Sequence, residues 1–110
     1  NQKLVLDDKE NIENLKKLFW SIWPLSLRLE GWRNDKDKFK TLSLPLSKIK
    51  CPTLIIHGTE DINVDIQHAE KAFKEIPNSK LYIVEGGDHY MSFSHSSVIE
   101  KEISNFIKSL

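Results

Sequence analysis

The sequence is short of several things, and each shortage removes a class of explanation. It holds one cysteine, Cys51, so no internal disulfide can form; a reducing compartment is the natural reading, with the cytoplasm as the expected location. Lysine plus arginine total 16 and aspartate plus glutamate total 16, which leaves no net positive field to draw a polyanion. Nucleic acid is therefore not expected as a partner. No uninterrupted apolar stretch approaches the roughly 20 residues that span a bilayer, and the opening, Asn1 to Glu10, has neither signal-peptide nor transit-peptide character, so no membrane partner is expected. His57 has no second ligand at zinc-like spacing in this reading, and neither metal nor cofactor is expected. The chain opens on Asn1 rather than methionine, which suggests a piece of something longer.

What is present reads as an ordinary soluble globular protein: 39% hydrophobic and 29% charged residues in 110 suit one modest domain, or part of one. Before Pro24, Ile12, Leu15, Leu18, Phe19 and Ile22 recur at helical steps, with Asp7 or Asp8 able to cap the start and Pro24 ending the helix near Trp23. From Leu25 to Lys40 the pattern is weak, and a short helix or loop is expected. Trp20, Trp23 and Trp32 are expected to pack on another part of the protein or to line a pocket.

The second half is clearer. Thr53 to His57 is an apolar, β-rich run between Pro52 and Gly58, expected to be a strand buried on both faces and central in a parallel sheet. Ile66, Ala69, Ala72, Phe73 and Ile76 mark a helical stripe capped by Asp65 and closed by Pro77 and Asn78. Leu81 to Val84 is a second strand ended by Gly86 and Gly87. Ile99, Ile103, Phe106, Ile107 and Leu110 form a last stripe, with Ser96 or Ser97 as caps.

Strand, helix, strand with one intervening helix favours a parallel crossover, so both strands point the same way. The loops after them, Gly58 to Asp65 and Glu85 to Ser96, then emerge together at the carboxyl edge of the sheet, where open α/β folds place their chemistry. Asp61 lies on the first and His89 on the second. A histidine takes a proton from a hydroxyl nucleophile when its other ring nitrogen is held as a donor, and a carboxylate provides that hold. On their own such pairs are common, and a structural hydrogen bond between surface loops is the alternative.

The run Cys51-Pro52-Thr53-Leu54-Ile55-Ile56-His57-Gly58-Thr59-Glu60-Asp61-Ile62-Asn63-Val64 resembles the segment of α/β-hydrolases that carries the triad acid, where a strand is followed by Gly-x-x-Asp-x-x-Val. Leu81-Tyr82-Ile83-Val84-Glu85-Gly86-Gly87-Asp88-His89 resembles the same family's last strand and histidine loop. The resemblance covers about Leu46 to Leu110. It implies an α/β fold, namely the C-terminal strand-helix-strand-helix part of a hydrolase sheet (46–110), preceded by a cap-derived helical region and linker (1–45). It implies Asp61 and His89 as acid and base of a serine hydrolase acting on an ester, thioester or similar small acyl substrate. Asp65 stands where the family usually has proline, and Asp88 where many relatives have glycine; Asp88 is expected to form a turn through its side chain.

The family's nucleophile sits in a Gly-x-Ser-x-Gly elbow upstream of acid and base. No such elbow occurs here: Ser43, Ser47, Ser92 and Ser94 lack flanking glycines. The chain alone is therefore expected to be inactive, and to associate either with itself as a homo-oligomer or with the missing N-terminal half. The alternatives are a relative with an aspartate nucleophile, and a noncatalytic binding or assembly protein on the same framework. Of the remaining candidates, His57 is read as a packed, hydrogen-bonded side chain, His68 as solvated, His95 as at most a residue at the substrate's edge, and Cys51 as buried at the start of its strand.

Overall fold

A computed structural model describes residues 9–110, and the expected cap at Asp7 or Asp8 lies outside them. The chain divides into two compact units that part between Leu44 and Pro45.

In the first unit, helix α1 (Lys9–Ile22) stops just before Pro24, whose ring cannot continue the hydrogen-bond ladder. A 3-10 turn (Leu25–Arg28) leads into α2 (Leu29–Phe39), so the weakly patterned stretch is helical for most of its length. The Arg28 guanidinium donates from Nη2 to the Ser21 carbonyl at 3.0 Å, tying the turn back to the end of α1. Neither helix has a buried residue. Trp20 and Trp23 remain 73% and 64% exposed, so the expected packing of these two rings is not found among the described residues. Trp32, also exposed, does line an open apolar groove of about 700 Å³ with Ile22, Leu25, Leu27 and Leu29, and carries the Lys36 ammonium 5.0 Å from its ring centre.

The second unit runs β1 (Thr53–Gly58), α3 (Ile66–Glu75), β2 (Ser79–Val84), a short α4 (Met91–Ser94) and α5 (Ser96–Lys108). The strands pair in parallel from Thr53 opposite Ser79 to Gly58 opposite Val84, as the single intervening helix required. Helix α3 begins where Asp65 accepts the Gln67 backbone N–H at 2.9 Å, which satisfies one of the donors a helix start leaves free. Its stripe buries Ala69, and Ile76 just past its end, while Phe73 stays 45% exposed. At the far end, the Lys80 ammonium of β2 donates to Ser109 Oγ at 3.2 Å and lies over the Phe106 ring, which fastens the tail of α5 to the strand.

Three expectations need correction. Thr53 to Ile56 are only half-buried, because the described residues supply two strands and the outer edge of β1 has no neighbour among them. Cys51 is exposed rather than buried, since it precedes the first paired residue and lies outside the small core of His57, Ala69, Ile76 and Val84. Ser96 is the first residue of α5 itself; the cap position is His95, which makes no capping bond through its side chain. Among the described residues no helix is long and apolar enough to cross a membrane.

Candidate active site

Because β1 and β2 are parallel and end level at Gly58 and Val84, the two loops leave the sheet side by side. They are stitched together before any functional side chain is reached. Thr59 N–H donates to the Val84 carbonyl at 3.0 Å, and Glu60 N–H to the Gly87 carbonyl at 2.8 Å. Thr59 Oγ1 accepts the Gly86 N–H at 2.9 Å. Gly86 takes φ +69°, a left-handed conformation that glycine adopts without penalty.

On this frame the Asp61 carboxylate divides its two oxygens. Oδ1 accepts the backbone N–H groups of Asn63 at 2.9 Å and Val64 at 3.0 Å, closing its own loop. Oδ2 accepts from His89 Nδ1 at 3.0 Å, across 28 residues of sequence. The Asp61 side chain is 7% exposed and that of His89 46%. Burial opposes ionisation of Asp61 and is the largest single influence on it. The His89 hydrogen bond, the Val64 and Asn63 N–H groups and the charge His89 can carry together outweigh it and hold the carboxyl below its usual range.

A carboxylate can only accept, so His89 Nδ1 carries the proton and Nε2 is left as the basic nitrogen of the neutral ring. The arrangement is one in which an imidazole with a fixed tautomer can take a proton and its positive form is stabilised. The Tyr90 ring stands edge-on to His89 with centroids 5.7 Å apart, and Asp88 Oδ1 accepts the Tyr90 N–H at 2.8 Å, the turn-forming role expected of Asp88. Asp61 also lines a shallow open cleft of about 450 Å³ with Gly58, Thr59, Ile62, Asp65 and Ile66.

The other sequence candidates fall elsewhere. His68 is exposed on α3. His95 pairs with Ser94, Oγ to Nδ1 at 2.8 Å, at the junction of α4 and α5. His57 is buried beside Asp61, with Nδ1 against the Gly58 carbonyl at 2.8 Å. Among the described residues no three His, Cys, Asp or Glu side chains group to hold a metal. Sequence reasoning missed Thr59, Gly87 and Tyr90; a hydroxyl directly after the strand-ending glycine, facing a glycine pair on the next loop, was the available signal for the first two.

The α/β-hydrolase family described as TAP-like protein matches residues 25–110. The chain is similar to a Synechocystis protein named for a non-heme chloroperoxidase, 36% identical over 64 residues that cover 57% of this chain and 23% of that protein. It is similar to the serine hydrolase BPHL of Mus musculus, 27% identical over 92 residues, 76% of this chain and 31% of the relative. It is also similar to the alpha/beta hydrolase domain-containing protein aho-3 of Caenorhabditis elegans, 34% identical over 66 residues, 59% of this chain and 20% of the relative. The matched part of this chain thus spans between a fifth and a third of the length of these relatives. No solved structure matches the chain.

Proposed function

We propose a function that proceeds from one fact: the chain belongs to the α/β-hydrolases, in the family described as TAP-like protein. It supplies the acid, Asp61, and the base, His89, of a nucleophile-His-Asp unit whose nucleophile lies in a part of the protein outside these 110 residues. The substrate class is an ester, thioester or similar small acyl compound.

The observation that carries this reading is the 3.0 Å bond from His89 Nδ1 to Asp61 Oδ2, with the carboxylate's other oxygen held by two backbone N–H groups. In the reaction His89 Nε2 takes the proton of a serine hydroxyl as its oxygen attacks the acyl carbon, then returns that proton to the leaving group. Asp61 keeps the ring in the required tautomer and stabilises the imidazolium while it exists; it does not itself take the proton. The serine is the preferred nucleophile because the acid stands directly after the Thr53–Gly58 strand, and one similar protein is named a serine hydrolase.

A fluorophosphonate probe applied to the complete protein tests the reading. Covalent labelling of a serine upstream of this segment, abolished by His89→Ala, is the expected result. An intact protein that resists the probe, or one labelled equally well without His89, would remove the serine-hydrolase assignment.

A further inference from the structure

His57 is the one buried polar residue of the described core, and half of its ring is unexplained. The residue is 8% exposed. Its Nδ1 lies 2.8 Å from the Gly58 carbonyl, which can only accept, so Nδ1 carries the proton. Nε2 of the neutral ring is then a bare lone pair. It is buried, has no hydrogen-bond partner, and faces Asp61 Oδ2 at 3.9 Å, the same oxygen that accepts from His89. The separation is too long for a direct bond. Two electron-rich atoms therefore confront each other, and moving the ring proton from Nδ1 to Nε2 would break the bond to Gly58.

We infer that His57 is a positioning residue for Asp61, whose uptake of a proton at Nε2 converts Oδ2 from an acceptor committed to His89 into one shared by two imidazoles. With His57 neutral, it has no donor to offer Oδ2, and the carboxylate is turned to His89. When a solvent proton binds Nε2, no other bond need break: the orphaned nitrogen becomes an N–H donor aimed at the carboxylate, and the ring becomes its ion-pair partner. Oδ1 cannot relieve the competition because it already accepts from Asn63 and Val64.

On the two loops beside His57, Glu60, Asp65, Glu85 and His89 are exposed and Asp88 is half-buried. Among the described residues Asp61 is the one acid within ion-pair distance of His57. On β2 its register partner is Ile83, and the titratable groups of that strand are Lys80, which is exposed, and Tyr82. On α3, His68, Glu70, Lys71 and Lys74 are exposed and Glu75 is half-buried at the helix end. On α5, Glu100, Lys101 and Lys108 are exposed and Glu102 is half-buried. The consequence for catalysis, a looser hold on His89 in acid, rests on the reading of Asp61 as the triad acid; the coupling of the two imidazoles does not.

In the complete protein labelled with nitrogen-15 histidine, the imidazole nitrogen shifts of His57 and His89 can be assigned by single substitutions and followed through a pH titration. The expected result has two parts: neutral His57 shows the Nδ1-protonated form, and the His89 signals shift in two steps, one of them at the His57 midpoint. In His57→Asn, which keeps a donor for the Gly58 carbonyl and removes the Nε2 edge, the second step is lost. A neutral His57 protonated at Nε2, or a one-step His89 curve identical in wild type and variant, would overturn the inference. Neither outcome depends on the fluorophosphonate result, so failure of one reading leaves the other testable.

Discussion

Gly58 and Gly87 touch through their backbones: a Cβ built on Gly58 would lie 2.1 Å from the Gly87 carbonyl oxygen. The loop bearing the acid and the loop bearing the base are thus in van der Waals contact at their roots, before either side chain extends.

That contact predicts an asymmetry between two glycine-to-alanine changes. Gly58→Ala has nowhere to put its methyl group except into backbone, and a loss of roughly 1–3 kcal/mol or more is expected from forced overpacking. Gly31→Ala, in the first turn of α2 with nothing within 4 Å of the new carbon, should instead gain up to about 0.5–1 kcal/mol. Urea unfolding of the two variants measures both, and equal midpoints would show that the loops do not approach as described.

In the complete protein, Asp61→Asn should lower kcat by several orders of magnitude, on the order of 10⁴ for loss of the acid, with KM little changed. His89→Ala should do the same, and His68→Ala neither, as His68 lies exposed on α3. Steady-state kinetics on an activated ester checks this; near-normal turnover by Asp61→Asn would move the acid to another strand.

The 110-residue chain by itself should show no triad-dependent hydrolysis, since no serine in it stands in a Gly-x-Ser-x-Gly elbow. p-Nitrophenyl acetate turnover no faster than that of free imidazole is the expected reading. Faster turnover that disappeared with both His89→Ala and one serine substitution would locate a nucleophile within the chain.

Asp61 also sets an acid limit on stability. Its carboxyl is held below the usual range in the folded state, so its contribution is present in full above the ordinary value near 4. The contribution fades as pH falls through the lowered folded value, where both states bind the proton. The difference in unfolding free energy between wild type and Asp61→Asn, followed from pH 7 downward, should therefore shrink only below about pH 4. A difference that is flat across that range would mean the carboxylate is not ionised against His89 and its backbone donors.

Association is expected as well. A sheet of two parallel strands is a poor independent structure, and Phe19, Trp20, Trp23 and Leu27 expose between 59% and 81% of their surface. Burial of such side chains drives self-association or capture of further chain. Light scattering should show a species larger than the monomer whose thermal midpoint rises with concentration; a cooperative monomer with a fixed midpoint would refute it.

Much of the α/β unit was legible because its signals are local or topological. The helical stripe of α3, its Asp65 cap and the strand-ending glycines are read off neighbouring residues. The parallel crossover brought together the loops that carry Asp61 and His89, 28 residues apart, and the family resemblance singled out the two residues on them. What escaped depended on which surfaces are covered. Trp20 was expected to pack on another part of the protein or line a pocket, and Cys51 to be buried at the start of its strand, but burial is decided by partners, and nothing in a residue's type names its partner. The split of Asp61 between its own loop and His89 was also hidden, because a backbone N–H leaves no mark in sequence.

The level ends of β1 and β2 make the Asp61–His89 distance a gauge of sheet alignment. A slip of β2 by one residue would carry His89 about 3.3 Å along the strand axis and turn alternate side chains to the opposite face. A two-residue slip would restore the faces yet leave the pair about twice as far displaced. Only one of the possible alignments closes the bond, so a probe of that single contact reports whether two strands, and everything that later assembles on them, have met in the right place.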